Sequence, residues 1–189
     1  MRSETSALGV HKIAKKVIEI YLNEKKIPTL DELGISKHPD LNTKNLSFVT
    51  LYKDGKVIAS SGRINLKKPN TIAELIENSL FCLKDPRFIE AIKNPAEINN
   101  VNFRVDIITP SQREVINKID EVDIKKNGLI LISQSHSKIG VILPNIANLI
   151  TTNEDLFTLV CKKAELDPAL LKAEDYILYK IESTIFSDF

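Results

Sequence analysis

The sequence predicts an α+β fold, with an antiparallel or mixed sheet flanked by helices. Amphipathic helical stretches and strand-length runs are mixed without the even spacing of βαβ units. Two pairs of apolar runs are joined by short polar turns, which marks hairpins and therefore antiparallel pairing. A chain of 189 residues, 43% hydrophobic, suits one domain, or one domain with a small lobe, around a sizeable core.

The first helix is expected over residues 6–24, because Val10, Ile13, Ala14, Val17, Ile20 and Tyr21 fall on one helical stripe. Residues 25–45 hold Pro28, Gly34 and Pro39 among Asp and Asn, and read as a connection with little regular structure. Phe48–Tyr52 is rich in β-branched and aromatic residues, as strands are. Asp54–Gly55 then turns the chain, since Gly55 can take the positive φ that a tight hairpin needs, and Lys56–Ser60 returns.

Thr71-Ile72-Ala73-Glu74 fits a capping box at the start of a helix that runs to about Leu83, with Ile72, Leu75, Ile76, Ser79 and Leu83 on one face. Asp85-Pro86-Arg87-Phe88 ends it, and a shorter helical piece is expected at 88–93. Val101, Phe103, Val105 and Ile107 alternate with Asn102, Arg104, Asp106 and Ile108, read as a half-buried strand stopped at Pro110. Gly128–Ser133 and Lys138–Leu143 form the second hairpin. Thr152 to Asp155 caps a helix that carries Leu156, Leu159, Val160 and Ala164, and residues 176–186 read as one final strand.

Charged residues make up 27% of the chain and the net charge is +1, so no basic footprint for nucleic acid or an anionic membrane exists. The pairs Lys15–Lys16, Lys67–Lys68 and Lys125–Lys126 are interleaved with acids and read as solvated faces. No run is long enough to span a bilayer, and the N-terminal residues lack the apolar core of a signal peptide. Cys82 and Cys161 each sit in an apolar helical stretch without Cys-x-x-Cys spacing; buried, reduced thiols and a cytoplasmic location are the expectation.

Most patterns that carry chemistry are missing. The six glycines are isolated, so there is no phosphate-cradling loop, and no Gly-x-Ser-x-Gly elbow occurs. His11, His38 and His136 stand in a helix, a loop and a hairpin tip, none with a ligand-spaced partner. No metal site and no cofactor are therefore expected. His136 is a candidate general base by residue type, but no Ser–His or Ser–Lys pairing is visible in the sequence.

Seven short blocks do carry a signal. They are Phe48-Val49-Thr50-Leu51, Asp54-Gly55-Lys56, Asp85-Pro86-Arg87-Phe88 and Arg104-Val105-Asp106-Ile107-Ile108-Thr109-Pro110. Asn127-Gly128-Leu129-Ile130, Leu143-Pro144-Asn145-Ile146-Ala147 and Lys162-Lys163-Ala164-Glu165-Leu166 follow. In this order and spacing the series resembles the AMMECR-one domain family, from about Ala7 to Phe186, so that residues 1–189 read as a single such domain. The resemblance implies an α+β fold with a larger and a smaller lobe. It also implies kinship with the protein found in prokaryotes beside a Memo-like protein and a radical-SAM protein.

The family's signature, Arg-Gly-Cys-Ile-Gly, falls on Ile58-Ala59-Ser60-Ser61-Gly62, so only Gly62 is kept and Ser60 stands at the cysteine position. Arg63 follows as a nearby cation. Lys125 stands where relatives often carry glycine. A thiolate is reachable near neutral pH, whereas a serine hydroxyl needs an adjacent base.

The missing catalytic constellations and the replaced signature cysteine favour a non-catalytic accessory or binding protein, and the resemblance implies Memo-like and radical-SAM partners for it. The alternative is a transferase or hydrolase with a cleft site near Ser60 and Arg87, and a base beside Ser60 would distinguish the two. A small-molecule or RNA-binding module is a third class. Ser60, Gly62, Arg87 and Asn145 all lie at ends of elements, where scaffolds present functional groups, and are expected to share one concave surface between the lobes. Small residues at 59–62 leave that surface open, and Arg87 gives it an anion preference. Thiol counting under denaturing conditions should find both cysteines, Cys82 and Cys161, free; a count of none, with a mass lower by two hydrogens, would contradict it.

Overall fold

Two four-stranded sheets, each with its own helical cover, make up the fold in the computed structural model, which describes residues 9–145 and 150–189. In chain order come α1 (Val10–Glu24), α2 (Leu30–Leu33), β1 (Leu46–Lys53), β2 (Lys56–Gly62), α3 (Thr71–Cys82) and α4 (Pro86–Ala91). They are followed by β3 (Asn102–Ile108), β4 (Arg113–Ile116), β5 (Gly128–Ser133), β6 (Lys138–Ile142), α5 (Asn153–Lys163), β7 (Ile177–Ile181) and β8 (Thr184–Ser187). The chain divides into a larger unit, up to Ile107 plus Thr184–Phe189, and a smaller one, Ile108–Ser183. The expected α+β class is the observed one.

The larger unit carries the sheet β2-β1-β3-β8. The stripe of α1 buries Val10, Ile13, Ala14 and Val17, with Ile18 taking the place expected for Ile20. The helix starts at Val10; residues 6–8, where the sequence pattern places its first turn, lie outside the described residues. These side chains join Val49, Leu51, Ile72, Leu75, Cys82, Phe88 and Phe103 in one core. The smaller unit carries β4-β7-β5-β6, antiparallel throughout, with Leu156 and Val160 of α5 packed among Leu129, Leu131, Ile142 and Leu178.

Several local expectations are corrected. The connection at 25–45 holds α2, closed by a capping box between Thr29 and Glu32, and a 3-10 turn at Pro39–Asn42. Asn70, not Thr71, caps α3: its side chain accepts from Ala73 N at 2.9 Å. Thr71 is helical and buried, and its hydroxyl is bound to Thr43. Glu74 does not reach back to the cap. Its carboxylate is buried at 1% exposure and accepts from Lys67 N, from Lys68 N at 2.7 Å and from Arg63 at 3.1 Å. The short helix begins at Pro86 rather than residue 88. The strand expected at 176–186 is two, β7 and β8, each in a different sheet. No strand was expected at β4, whose Arg113-Glu114-Val115-Ile116 has only two apolar residues.

The half-buried reading of β3 is also corrected. Phe103, Val105 and Ile107 are buried, but so are Arg104 and Asp106, at 5% and 0% exposure. Arg104 Nε and Nη2 donate to Asp106 Oδ2 and Oδ1, both at 2.7 Å. Residues two apart on a strand share a face, so the bidentate pair matches both charges locally and allows that face to be covered.

The first hairpin forms as expected. Lys53 pairs with Lys56 across Asp54 and Gly55, which have φ of 52° and 74°, the double left-handed geometry of a type I′ turn. The register then slips between Leu51 and Tyr52: Tyr52 faces Val57 while Leu51 faces Ala59, leaving Ile58 as the extra residue of a bulge. Ile58 and Ala59 are consequently both buried, and Ser60 comes out on the exposed side opposite Thr50. Replacing Gly55 by Val should cost on the order of 1 kcal/mol or more, through backbone strain alone, because a side chain there meets open space. Urea unfolding of Gly55→Val measures this; an unchanged midpoint would mean that the turn is of another type.

Candidate functional site

The segment Ile58–Gly62 lies at the end of β2, against the junction of α3 and α4. The β1–β2 ladder places the Ser60 hydroxyl 3.2 Å from that of Thr50. The Ser60 backbone N–H donates to Asp85 Oδ2 at 3.3 Å. Gly62 lies opposite Phe48, whose ring covers it so closely that a Cβ would come within 2.0 Å of a ring carbon. The glycine is thus required by ring packing, and does not serve to leave a surface open.

Asp85 organises the next element. Its carboxylate accepts from Arg87 N at 3.0 Å, capping α4, while Pro86 occupies the first helical position and Phe88 enters the core at 4% exposure. Arg87 closes back on it, with Nε to Oδ1 at 3.0 Å and Nη2 to Oδ2 at 2.7 Å. The guanidinium beside Asp85 holds its carboxyl below the usual carboxylate range. The fork of Arg87 is therefore already engaged, and an incoming anion would have to compete with Asp85.

Beneath this surface lies Cys82, at 0% exposure, its thiol 3.6 Å from Val49 O and approached by the backbone N–H of Ser61. Burial pushes the thiol up to about 12, so it stays protonated and unreactive at neutral pH. Cys161, also free and buried, is pushed up to about 11 by the same cause. Arg63 is matched too. It binds Glu74 and Glu77, and its guanidinium lies 5.0 Å over the Phe81 ring.

Ser60 and Arg87 thus meet through Asp85, with Gly62 two residues further along the same strand. Asn145 belongs to the smaller unit, where it is exposed with φ of 56°; Ile146 and Ala147 of the same block lie outside the described residues. The sequence reading missed Thr50 and Cys82 as neighbours of Ser60. Counting from the Asp54–Gly55 turn finds Thr50 only once the bulge at Ile58 is included, and no glycine or proline marks that bulge.

A serine–histidine contact also exists where none was visible in the sequence. In the β5–β6 turn His136 Nδ1 is 2.9 Å from both Ser133 Oγ and Ser135 Oγ. Ser133 donates its one proton to Asp175 O at 2.8 Å, so it accepts from the imidazole rather than being deprotonated by it. Ser133 is buried at 1% exposure, and the arrangement fixes the turn. Among the described residues no group of three His, Cys, Asp or Glu side chains is placed to hold a metal ion, and no helix is long and apolar enough to cross a membrane.

Replacing Asp85 by Ala removes the cap of α4, the partner of Arg87 and the acceptor of Ser60 N–H together. The expected loss is about 1–2 kcal/mol at neutral pH. Because the folded carboxyl is depressed, the difference from the parent chain is full above the ordinary value of 3.8 and shrinks as pH falls through the folded value. Denaturant melts at neutral and acid pH measure this, and equal midpoints at neutral pH would contradict it.

The comparisons with known proteins agree with this fold. A protein of Methanosarcina mazei is 32% identical over 198 aligned positions, which cover 100% of this chain and 94% of that protein. Protein MJ0810 of Methanocaldococcus jannaschii is 28% identical, over 93% of this chain and 86% of its own length. Among solved structures, the uncharacterized protein PH0010 of Pyrococcus horikoshii superposes with a TM-score of 0.80 at 24% identity, over 94% of this chain and 89% of that one, a likeness of fold. The AMMECR1 family model matches residues 11–186, and the chain accordingly belongs to the AMMECR1 family.

Proposed function

We propose that this protein is a non-catalytic accessory or binding protein that acts in the cytoplasm with a Memo-like protein and a radical-SAM protein. The observation that carries this reading is the neighbourhood of Ser60. Its hydroxyl pairs with the Thr50 hydroxyl, which cannot serve as a base at neutral pH. The carboxylate at hand, Asp85, binds the backbone of Ser60 rather than its hydroxyl, and its depressed pKa makes it a poor proton acceptor. Nucleophilic serine chemistry needs a base on the hydroxyl and a third group that orients that base.

A recognition role suits the same surface better. Arg87, 47% exposed, and Ile89, 58% exposed, stand on α4, which packs on β2, a strand that itself exposes Val57 at 39%. An exposed arginine held rigid by a carboxylate, with aliphatic side chains on the adjoining elements, is a combination that protein partners recognise. The purified protein should therefore retain Memo-like and radical-SAM proteins in a pull-down. Arg87→Ala should weaken that capture by about tenfold while leaving the circular dichroism spectrum unchanged. A fluorophosphonate probe should leave Ser60 unlabelled. Stoichiometric labelling of Ser60 would favour the hydrolase or transferase alternative, and capture unaffected by Arg87→Ala would leave Arg87 a turn residue only.

A further inference from the structure

The smaller unit holds a cavity of about 310 Å³, at the low end of the size range in which small ligands are bound. Ile119, Phe157, Tyr176 and Leu178 give it an apolar lining, and Asn117, Lys118 and Asp120 complete it. The Phe157 and Tyr176 rings stand 5.4 Å apart at 50°, an arrangement against which a further ring can pack by edge or face. Burial raises the Tyr176 hydroxyl above its ordinary value, so the phenol brings no charge to the cavity at neutral pH.

Lys118 and Asp120 are both exposed, two residues apart, and of opposite sign. Neither side chain has an ion-pair partner within 4.0 Å among the described residues, although the Lys118 charge helps to lower the Glu121 carboxyl; other charges of this unit are paired: Lys180 with Glu114 at 3.1 Å, and Lys138 with Glu165. Their backbone is nonetheless fixed. Glu121 accepts from Asn117 N and Lys118 N, each at 2.9 Å, and Asn153 Nδ2 donates to Ile119 O at 3.1 Å. A rigid turn therefore presents one ammonium and one carboxylate beside an apolar, partly aromatic cavity.

A simple anion in the cavity would be attracted by Lys118 and repelled by Asp120, and a simple cation the reverse. A dipolar head group satisfies both, and a ring fills the remaining volume. We propose that this cavity binds a free α-amino acid with an aromatic side chain, its carboxylate toward Lys118, its ammonium toward Asp120 and its ring against Phe157 and Tyr176. All residues of this site belong to the smaller unit, and the proposal stands whether or not the accessory role does.

Phenylalanine, titrated into the intact protein with ligand-observed NMR and calorimetry, tests this. Saturable binding is expected, weakened by about tenfold or more in phenethylamine, in hydrocinnamate and in N-acetyl-phenylalaninamide, which lack the carboxylate, the ammonium charge or both. Lys118→Ala should weaken phenylalanine but not phenethylamine, and Asp120→Ala should weaken phenylalanine but not hydrocinnamate. Both residues are on the surface, so neither substitution threatens the fold. The absence of saturation up to about 10 mM would overturn the proposal. Equal affinity for N-acetyl-phenylalaninamide, or indifference to both substitutions, would also overturn it.

Discussion

The carboxylate of Asp85 holds the candidate surface together. One side chain caps α4, receives the fork of Arg87 and accepts the backbone N–H of Ser60 at the edge of the sheet. A carboxylate can accept several hydrogen bonds at once, and each N–H that reaches it stabilises the charged form. Three parts of the chain, β2, the α3–α4 junction and α4 itself, are thus tied to a single group at 13% side-chain exposure. The same group fixes Ser60 in place and engages Arg87, and these two facts decide what the surface can do chemically.

The rest of the larger unit follows a similar economy. Glu74 is buried and gathers two backbone N–H groups and Arg63, which draws the loop after β2 onto α3. Arg104 and Asp106 match each other on β3. Buried ions are costly unless paired and hydrogen-bonded, and in each case the partner is local in sequence or supplied by an adjacent loop. The consequence for function is that Arg63 and Arg87, both near the signature segment, already have carboxylate partners. A surface built this way presents shape and fixed polarity to a partner more readily than it presents a reactive group.

Sequence patterns made the fold class legible because its main devices are local. The Asp54–Gly55 turn, the cap at Thr152 and the apolar stripes of α1 and α5 each depend on a few neighbouring residues. What escaped depends on distant ones. Thr71 looks like a cap until Thr43 takes its hydroxyl, and Glu74 looks like the second half of a capping box until the loop at Lys67–Lys68 claims it. Residues 176–186 look like one strand because nothing in their composition reveals that β7 and β8 join different sheets. At the site, Ser60 and Arg87 both bind Asp85, a residue that read only as part of a turn. Thr50 and Cys82 were hidden by the bulge and by the packing of α3 on β1.

Membership of the AMMECR1 family fixes the architecture, and the segment Ile58–Gly62 carries Ser60 near the end of β2. The proposed accessory role rests on Asp85 holding that segment in an unreactive arrangement. Carboxyl titration by NMR, following the Asp85 side chain and the Ser60 and Arg87 amides together, tests this most directly. Asp85 should titrate below its ordinary value of 3.8, with both amide resonances shifting along the same curve. An Asp85 that titrates at its ordinary value, with a Ser60 amide indifferent to it, would contradict the account.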